Sequence, residues 1–111
     1  MRMSAPYAYG SAVVWTDKPD YAHWETVTIF GSGFKPNTNI VLTITRPDFV
    51  VETRSTTSDA SGNFAYYYVL DGMVGTYTVT ATDGTNSATT TFTESFVDFR
   101  QYANKDDKWI N

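Results

Sequence analysis

The segment TYTVTATDGTNSATTTFT, residues 76–93, determines the fold of this chain because its side chains alternate strictly in character. Before the turn, Tyr77, Val79 and Ala81 point to one side and threonines point to the other. Side chains that alternate between apolar residues and solvent-facing threonines predict an antiparallel strand pair with one buried face. Asp83-Gly84 between the two runs predicts a tight hairpin turn, because Gly and Asp tolerate positive φ.

Five further stretches have the same strand character and are separated by turns rich in Pro, Gly, Asn and Asp. They are residues 12–16, 25–30, 39–45, 50–57 and 63–70. Together with the hairpin they predict an all-β, seven-stranded antiparallel immunoglobulin-like β-sandwich with N- and C-terminal extensions. We expect residues 1–11 to form a tail or linker, residues 12–94 the sandwich and residues 95–111 an aromatic and charged extension.

Composition narrows the classes of function. The chain has 111 residues, which suits one domain, and it has no cysteine, which excludes disulfides and thiolate metal sites. The net charge of −4 argues against nucleic-acid binding, which uses basic patches. No apolar stretch approaches the roughly 20 residues of a membrane span, so no membrane-spanning segment is expected.

Four motifs carry a resemblance to a known family: TDKPDY (16–21), ETVTIFGSGFKPN (25–37), SDASGNF (58–64) and GTYTVTATDG (75–84). In this order and spacing they resemble an immunoglobulin-like repeat of archaeal and bacterial cell-surface proteins, over about residues 13–93. The resemblance implies an extracellular structural or adhesive role without catalytic residues or cofactors. Where such repeats have a Pro-Gly turn, this chain has His23-Trp24, and we expect this lone histidine to be a surface residue.

Acidic turn residues are the candidates for a metal site. Immunoglobulin-type connectivity predicts that Asn37, Asp59 and Asp83 cluster at one pole of the sandwich. Four further residues would cluster at the other pole and are candidate calcium ligands: Asp17, Asp20, Asp48 and Asp71. The competing interpretation, which we favour, is that aspartate occurs in turns because it bonds its own backbone.

Aromatic and apolar residues near the two chain ends are the candidate interface residues. They are Tyr7, Tyr9, Val13, Trp15, Trp24, Phe96, Phe99, Tyr102 and Trp109. Aromatic side chains are enriched in protein interfaces, so protein partners of the same chain type or neighbouring repeats are expected. Stacked exposed aromatics such as Tyr67 could instead bind sugar rings.

These observations leave three functions open. The leading hypothesis is a non-catalytic structural or adhesive module of an extracellular surface protein. The first alternative is a subunit of an extracellular filament whose terminal segments donate strands to a neighbour. The second alternative is a carbohydrate-binding accessory module. No phosphate-binding glycine loop or nucleophile elbow appears in the sequence, so an enzyme is not expected.

Overall fold

A computed structural model describes residues 11–96 as two β-sheets packed face to face. This part of the chain contains strands and no helix. The strands are β1 (Val13–Thr16), β2 (Asp20–Tyr21), β3 (Thr26–Ser32), β4 (Asn39–Thr45), β5 (Val51–Thr57), β6 (Phe64–Val69), β7 (Gly75–Thr82) and β8 (Ser87–Glu94). The predicted immunoglobulin-like sandwich is therefore confirmed, with eight strands in place of seven.

The two sheets differ in width. The narrower sheet has the order β1-β3-β6, and the wider sheet has the order β2-β8-β7-β4-β5. Both are antiparallel except where β2 pairs with β8 in parallel. The hairpin at residues 76–93 forms as predicted, with Tyr77 opposite Phe92 and Gly84 at a φ of 98°.

The eighth strand, β2, lies inside the segment that the sequence predicts to be only a turn. The amide of Thr93 donates to the carbonyl of Pro19, and the amide of Ser95 donates to that of Tyr21. Tyr21 is almost completely buried and packs edge-on against Phe92. The first part of the chain thus pairs with both sheets, first as β1 in the narrow sheet and then as β2 in the wide one. It changes sheets because Pro19 interrupts the first strand and Tyr21 anchors the second in the core.

The core is formed by the inward positions of both sheets, as the alternation predicts. Its buried apolar members are Val14, Tyr21, Val27, Ile29, Phe34, Ile40, Leu42, Ile44, Phe64, Tyr68, Leu70, Tyr77, Val79, Ala81 and Phe92. Phe34 follows the glycines at the end of β3, is buried and closes one end of the core. Tyr77 and Phe92 stack with ring centroids 4.8 Å apart.

The chain enters and leaves the sandwich at opposite ends. The N-terminal pole holds the turns at 33–38, 58–63 and 83–86, and there the carbonyl of Ser11 lies against Gly33. The C-terminal pole holds the turns at 22–25, 46–50 and 70–74, together with residues 95–96.

Hydrogen bonds join the three turns of the N-terminal pole. The amide of Asn37 donates to the carbonyl of Asp59, and the amide of Lys35 donates to the carboxylate of Asp83. The buried hydroxyl of Ser58 donates to the carbonyl of Lys35. The predicted clustering of Asn37, Asp59 and Asp83 at one pole is therefore confirmed.

Candidate functional site

The C-terminal pole carries a concentration of exposed apolar side chains. These side chains belong to Trp24, Phe49, Val50, Val74 and Phe96. Phe49 is 83% exposed, Phe96 is 71% exposed and Trp24 is 69% exposed. Solitary exposed apolar residues are ordinary, whereas several large ones on adjoining loops indicate a contact surface. We call this surface the apolar cap.

Contacts between the loops hold the apolar cap together. Trp24 has a φ of 71°, and its ring lies against Gly72 in the turn between β6 and β7. The ring of His23 packs edge-on against Phe96, with centroids 5.4 Å apart. The amide of Leu70 also donates to the carbonyl of Glu25. Trp24 and Phe96 therefore share a frame made by three different segments.

A buried carboxylate lies directly beneath the cap. The side chain of Glu94 is 0% exposed, and its Oε2 lies 2.6 Å from Nδ1 of His23. Its Oε1 lies 3.2 Å from the hydroxyl oxygen of Tyr77, whose single proton is shared between this carboxylate and the carbonyl of Met73, 2.7 Å away. Burial, followed by the charge of Glu94, raises the pKa of Tyr77, so this phenol remains a proton donor.

A second polar cluster surrounds Arg46, which is also buried. Its Nη2 donates to both oxygens of Asp71 at 2.9 Å, and its Nη1 donates to the hydroxyl of Tyr68 at 3.2 Å. Hydrogen bonding to Asp71 raises the pKa of Arg46 and lowers the pKa of Asp71. Burial and a hydrogen bond to Glu52 raise the pKa of Tyr68 to about 12. Arg46, Asp71 and Tyr68 therefore keep one charge state across the physiological range.

The two clusters fix the loops that carry the apolar cap. Glu94 ties the end of β8 to the turn at 22–25, and Arg46 ties the turn at 46–50 to the turn at 70–74. A contact surface held in one conformation loses less conformational entropy when a partner binds. The geometry therefore suits recognition by apolar contact.

The outer face of the narrow sheet is a second apolar surface. It carries Val13, Trp15, Phe30, Tyr67 and Val69, and we call it the aromatic face. Trp15 and Phe30 stack on each other, with centroids 5.6 Å apart and planes 25° apart. Because each ring covers a face of the other, the pair offers less flat surface to a sugar ring than the sequence suggested.

The outer face of the wide sheet is dominated by threonine. Its outward positions on the four long strands are 39, 41, 43 and 45 on β4, 51, 53, 55 and 57 on β5, 76, 78, 80 and 82 on β7, and 87, 89, 91 and 93 on β8. Eleven of these sixteen positions are threonine and none is charged. Cross-strand bonds such as that between Thr80 and Thr89 hold the hydroxyls in place.

Comparison with known proteins matches residues 10–97 to a macroglobulin-like domain. The chain belongs to the macroglobulin-like domain family. No curated protein matches the chain. The family has an immunoglobulin-like fold and is generally non-catalytic, which agrees with the β-sandwich described above. The narrower resemblance to archaeal and bacterial surface repeats stays a prediction.

In this macroglobulin-like domain each of the four candidate calcium ligands forms a hydrogen bond or an ion pair with a different group of the protein. Asp17 accepts from the hydroxyl of Tyr21, and Asp20 accepts from the hydroxyls of Thr93 and Ser95. Among residues 11–96 no three His, Asp or Glu side chains are grouped so as to hold a metal ion. Calcium binding stays a prediction.

The remaining two candidates lie on the loops of the C-terminal pole. Asp71 pairs with Arg46, and Asp48 accepts from the amide of Val50, two residues further on. The bond of Asp48 is the local turn contact that the competing interpretation expects of an aspartate. For Asp17, burial alone would raise the pKa, but hydrogen bonds from Tyr21 and Thr28 outweigh it and lower the pKa.

The predicted interface residues of the domain fall on both apolar surfaces. Trp24 and Phe96 lie in the apolar cap, and Val13 and Trp15 lie on the aromatic face. The others lie outside the described residues: Tyr7, Tyr9, Phe99, Tyr102 and Trp109. In the described part of the chain, no helix is long and apolar enough to cross a membrane.

Sequence reasoning missed part of the site. Phe49 was assigned to no element and Val50 was assigned to the strand at residues 50–57, yet their exposure makes them part of the apolar cap. A signal for Phe49 was available, because an apolar residue between a turn and a strand has no inward position to occupy. Nothing in the sequence marked Glu94 as buried or gave His23 a partner, since the pair is 71 residues apart and arises from the fold.

Proposed function

We propose that this macroglobulin-like domain is a non-catalytic structural module of an extracellular surface protein. Its apolar cap contacts a neighbouring domain of the same kind. The observation that carries the proposal is the cap itself: large apolar side chains on three loops, fixed from below by the Glu94 and Arg46 clusters. Exposed apolar groups on a rigid frame are characteristic of sites that bind protein.

The uncharged sheet faces support a structural role. Charged side chains lie on the turns, on the edge strands and at the poles. Within residues 11–96 the outward positions of the narrow sheet and of the four long strands of the wide sheet carry none. Neighbouring domains can then approach one another without desolvating charge, which is costly at a contact.

A second candidate function, a filament subunit, is favoured by the opposite positions of the first and last described residues. Ser11 lies at the N-terminal pole and Phe96 lies at the C-terminal pole. A contact between the C-terminal pole of one copy and a different surface of the next is heterologous. Heterologous contacts that do not close into a ring generate a filament.

Sedimentation velocity of the full chain tests the proposed contact. We expect association that grows with concentration up to about 1 mM and weakens about tenfold in a Trp24→Ser variant, because aromatic residues dominate binding energy. Trp15→Ser is the matched control, since it removes a tryptophan from the aromatic face. A wild-type chain that stays monomeric over this range, or equal effects of the two changes, would refute the proposal.

A further inference from the structure

The four strand edges of the sandwich differ in how they are protected against pairing with another chain. In the described part of the chain the edges are β1 and β6 in the narrow sheet and β2 and β5 in the wide sheet. β1 has four residues and β2 has two, so both are short. β5 points Glu52 and Arg54 toward the core side of its sheet, opposite Ile44 and Leu42. Short strands and inward-pointing charges both discourage edge pairing.

β6 has neither form of protection. It is six residues long, FAYYYV, with no charge and no proline, and it pairs with β3 on one side only within residues 11–96. Its outward residues Ala65, Tyr67 and Val69 are exposed, and Tyr67 belongs to the aromatic face. An uncharged aromatic edge with free backbone groups is a ready template for another strand.

We propose that the free edge of β6 binds an extended segment supplied by a second copy of this chain, and that this segment is residues 1–10. The proposal rests on the proposed function, because it requires that copies of this chain associate; the β6 edge adds a second contact to that of the apolar cap. It also gives the aromatic face a role, since the added strand would place its outward side chains beside Tyr67.

The surroundings of β6 favour a single strand over the edge of a second folded sheet. The wide sheet brings β5 beside β6, where the hydroxyl of Tyr68 donates to Glu52 of β5. A whole sandwich that approached β6 edge-on would meet β5. A single extended segment needs only one inter-strand spacing of about 4.8 Å.

Charge and length select residues 1–10 as the occupant. Residues 3–10, MSAPYAYG, are uncharged and carry Tyr7 and Tyr9 on the same side of an extended strand. Residues 97–111 carry six charged side chains, which suit an uncharged edge less well. Ten extended residues span about 33 Å, more than the roughly 20 Å of a six-residue edge.

Geometry favours a second copy over the same molecule. Residue 11 leads into β1, which lies across β3 from the free edge of β6. That edge is three inter-strand spacings away, about 14 Å, so the crossing would consume about four residues. Tyr7 and Tyr9 would then lie in the crossing segment and could not pair with β6. The pairing segment would end in Pro6, which has no amide proton to donate.

Disulfide trapping tests the proposal, because the chain has no cysteine of its own. Chains carrying Ala5→Cys, on the same side of the extended segment as Tyr7 and Tyr9, are mixed with chains carrying Ala65→Cys, on the outward side of β6. The matched control is Ser55→Cys, an exposed outward position on β5. We expect the heterodimer with Ala65→Cys to exceed that with Ser55→Cys by about tenfold, because pairing raises the local concentration of the thiols.

Three results would overturn the proposal: equal trapping at the two strands, preferential trapping at Ser55→Cys, or closure within one molecule of an Ala5→Cys/Ala65→Cys chain. Sedimentation of a chain that lacks residues 1–10 supplies a second measurement. We expect it to associate about tenfold more weakly than the full chain. If it associates as strongly, and Trp24→Ser still weakens that association, then strand addition at β6 is wrong while the apolar cap remains the contact. If the full chain does not associate at all, both proposals are wrong.

Discussion

The carboxylate of Glu94 has no exposed side-chain surface and lies 2.6 Å from Nδ1 of His23, 71 residues away in sequence. This pair joins the last residue of β8 to the turn that follows β2. The same histidine ring packs against Phe96, so the place where the chain leaves the sandwich is fixed by a buried polar contact. The apolar cap depends on this contact for its shape.

Replacing His23 with alanine should destabilise the domain. The carboxylate of Glu94 would then keep only the 3.2 Å bond from Tyr77, and a buried acceptor that loses its partner costs roughly 1–3 kcal/mol. Urea denaturation followed by fluorescence measures the free energy of unfolding. Glu94→Gln in the His23→Ala background should recover part of the loss, because a neutral amide costs less to bury than a charge.

Lys18→Ala is the control for that experiment. Lys18 pairs with Glu25 at 2.8 Å, but both side chains are more than a third exposed. Exposed ion pairs contribute less than about 1 kcal/mol. If His23→Ala changes the stability no more than Lys18→Ala does, the pair beneath the cap has no special role.

Gly31→Ala should weaken the core. A methyl group at Gly31 would lie 2.0 Å from Cε2 of Phe64, a buried ring that also packs near Phe34. Overpacking of this kind costs roughly 1–3 kcal/mol, measured as a lower denaturation midpoint. Combining the change with Phe64→Leu should cost less than the sum of the two single changes. Strict additivity would show that the ring does not meet the added methyl.

Asp83 should make stability depend on pH. Burial acts to raise the pKa of Asp83. Hydrogen bonds outweigh this effect and hold the pKa well below the usual value; their donors are the side chain of Asn86 and the amides of Asn86, Lys35 and Thr85. A carboxyl whose pKa is lowered by folding contributes stability that is present above its unfolded pKa of about 3.9. That contribution is lost as the pH falls toward the folded pKa.

The measurement is the free energy of unfolding of the wild-type chain and of Asp83→Asn as the pH falls from about 5 to 2. We expect the wild type to lose stability over this window and the variant to lose less. Asp71 and Asp17, whose pKa values are also lowered, should leave a residual slope in the variant. Parallel curves for the two chains would contradict this assignment.

Sequence alone predicted those features of the fold that depend on local pattern. Strand β4 was predicted with its observed bounds because Ile40, Leu42 and Ile44 alternate with polar residues and face the core. Strand β2 was not predicted, because two residues carry no periodicity. It exists because Tyr21 fills a core site beside Phe92, and only the fold brings these two rings together.

The candidate site was less predictable for the same reason. Trp24 stood out because a tryptophan in a turn has no inward position. The buried polar groups beneath it did not, since Glu94 follows a run of threonines and resembles a solvated strand end. Burial of a charge is decided by residues far away in sequence, here His23 and Tyr77, and no local pattern contains that information.

The most direct test of the central claim is a concentration series of amide NMR spectra of the labelled full chain. If the apolar cap mediates contact between copies, the shifts that change with concentration will concentrate at Trp24, Phe49 and Val74, and they will diminish in the Trp24→Ser variant. Spectra that do not change with concentration would contradict the account. So would changes confined to the threonine face of the wide sheet.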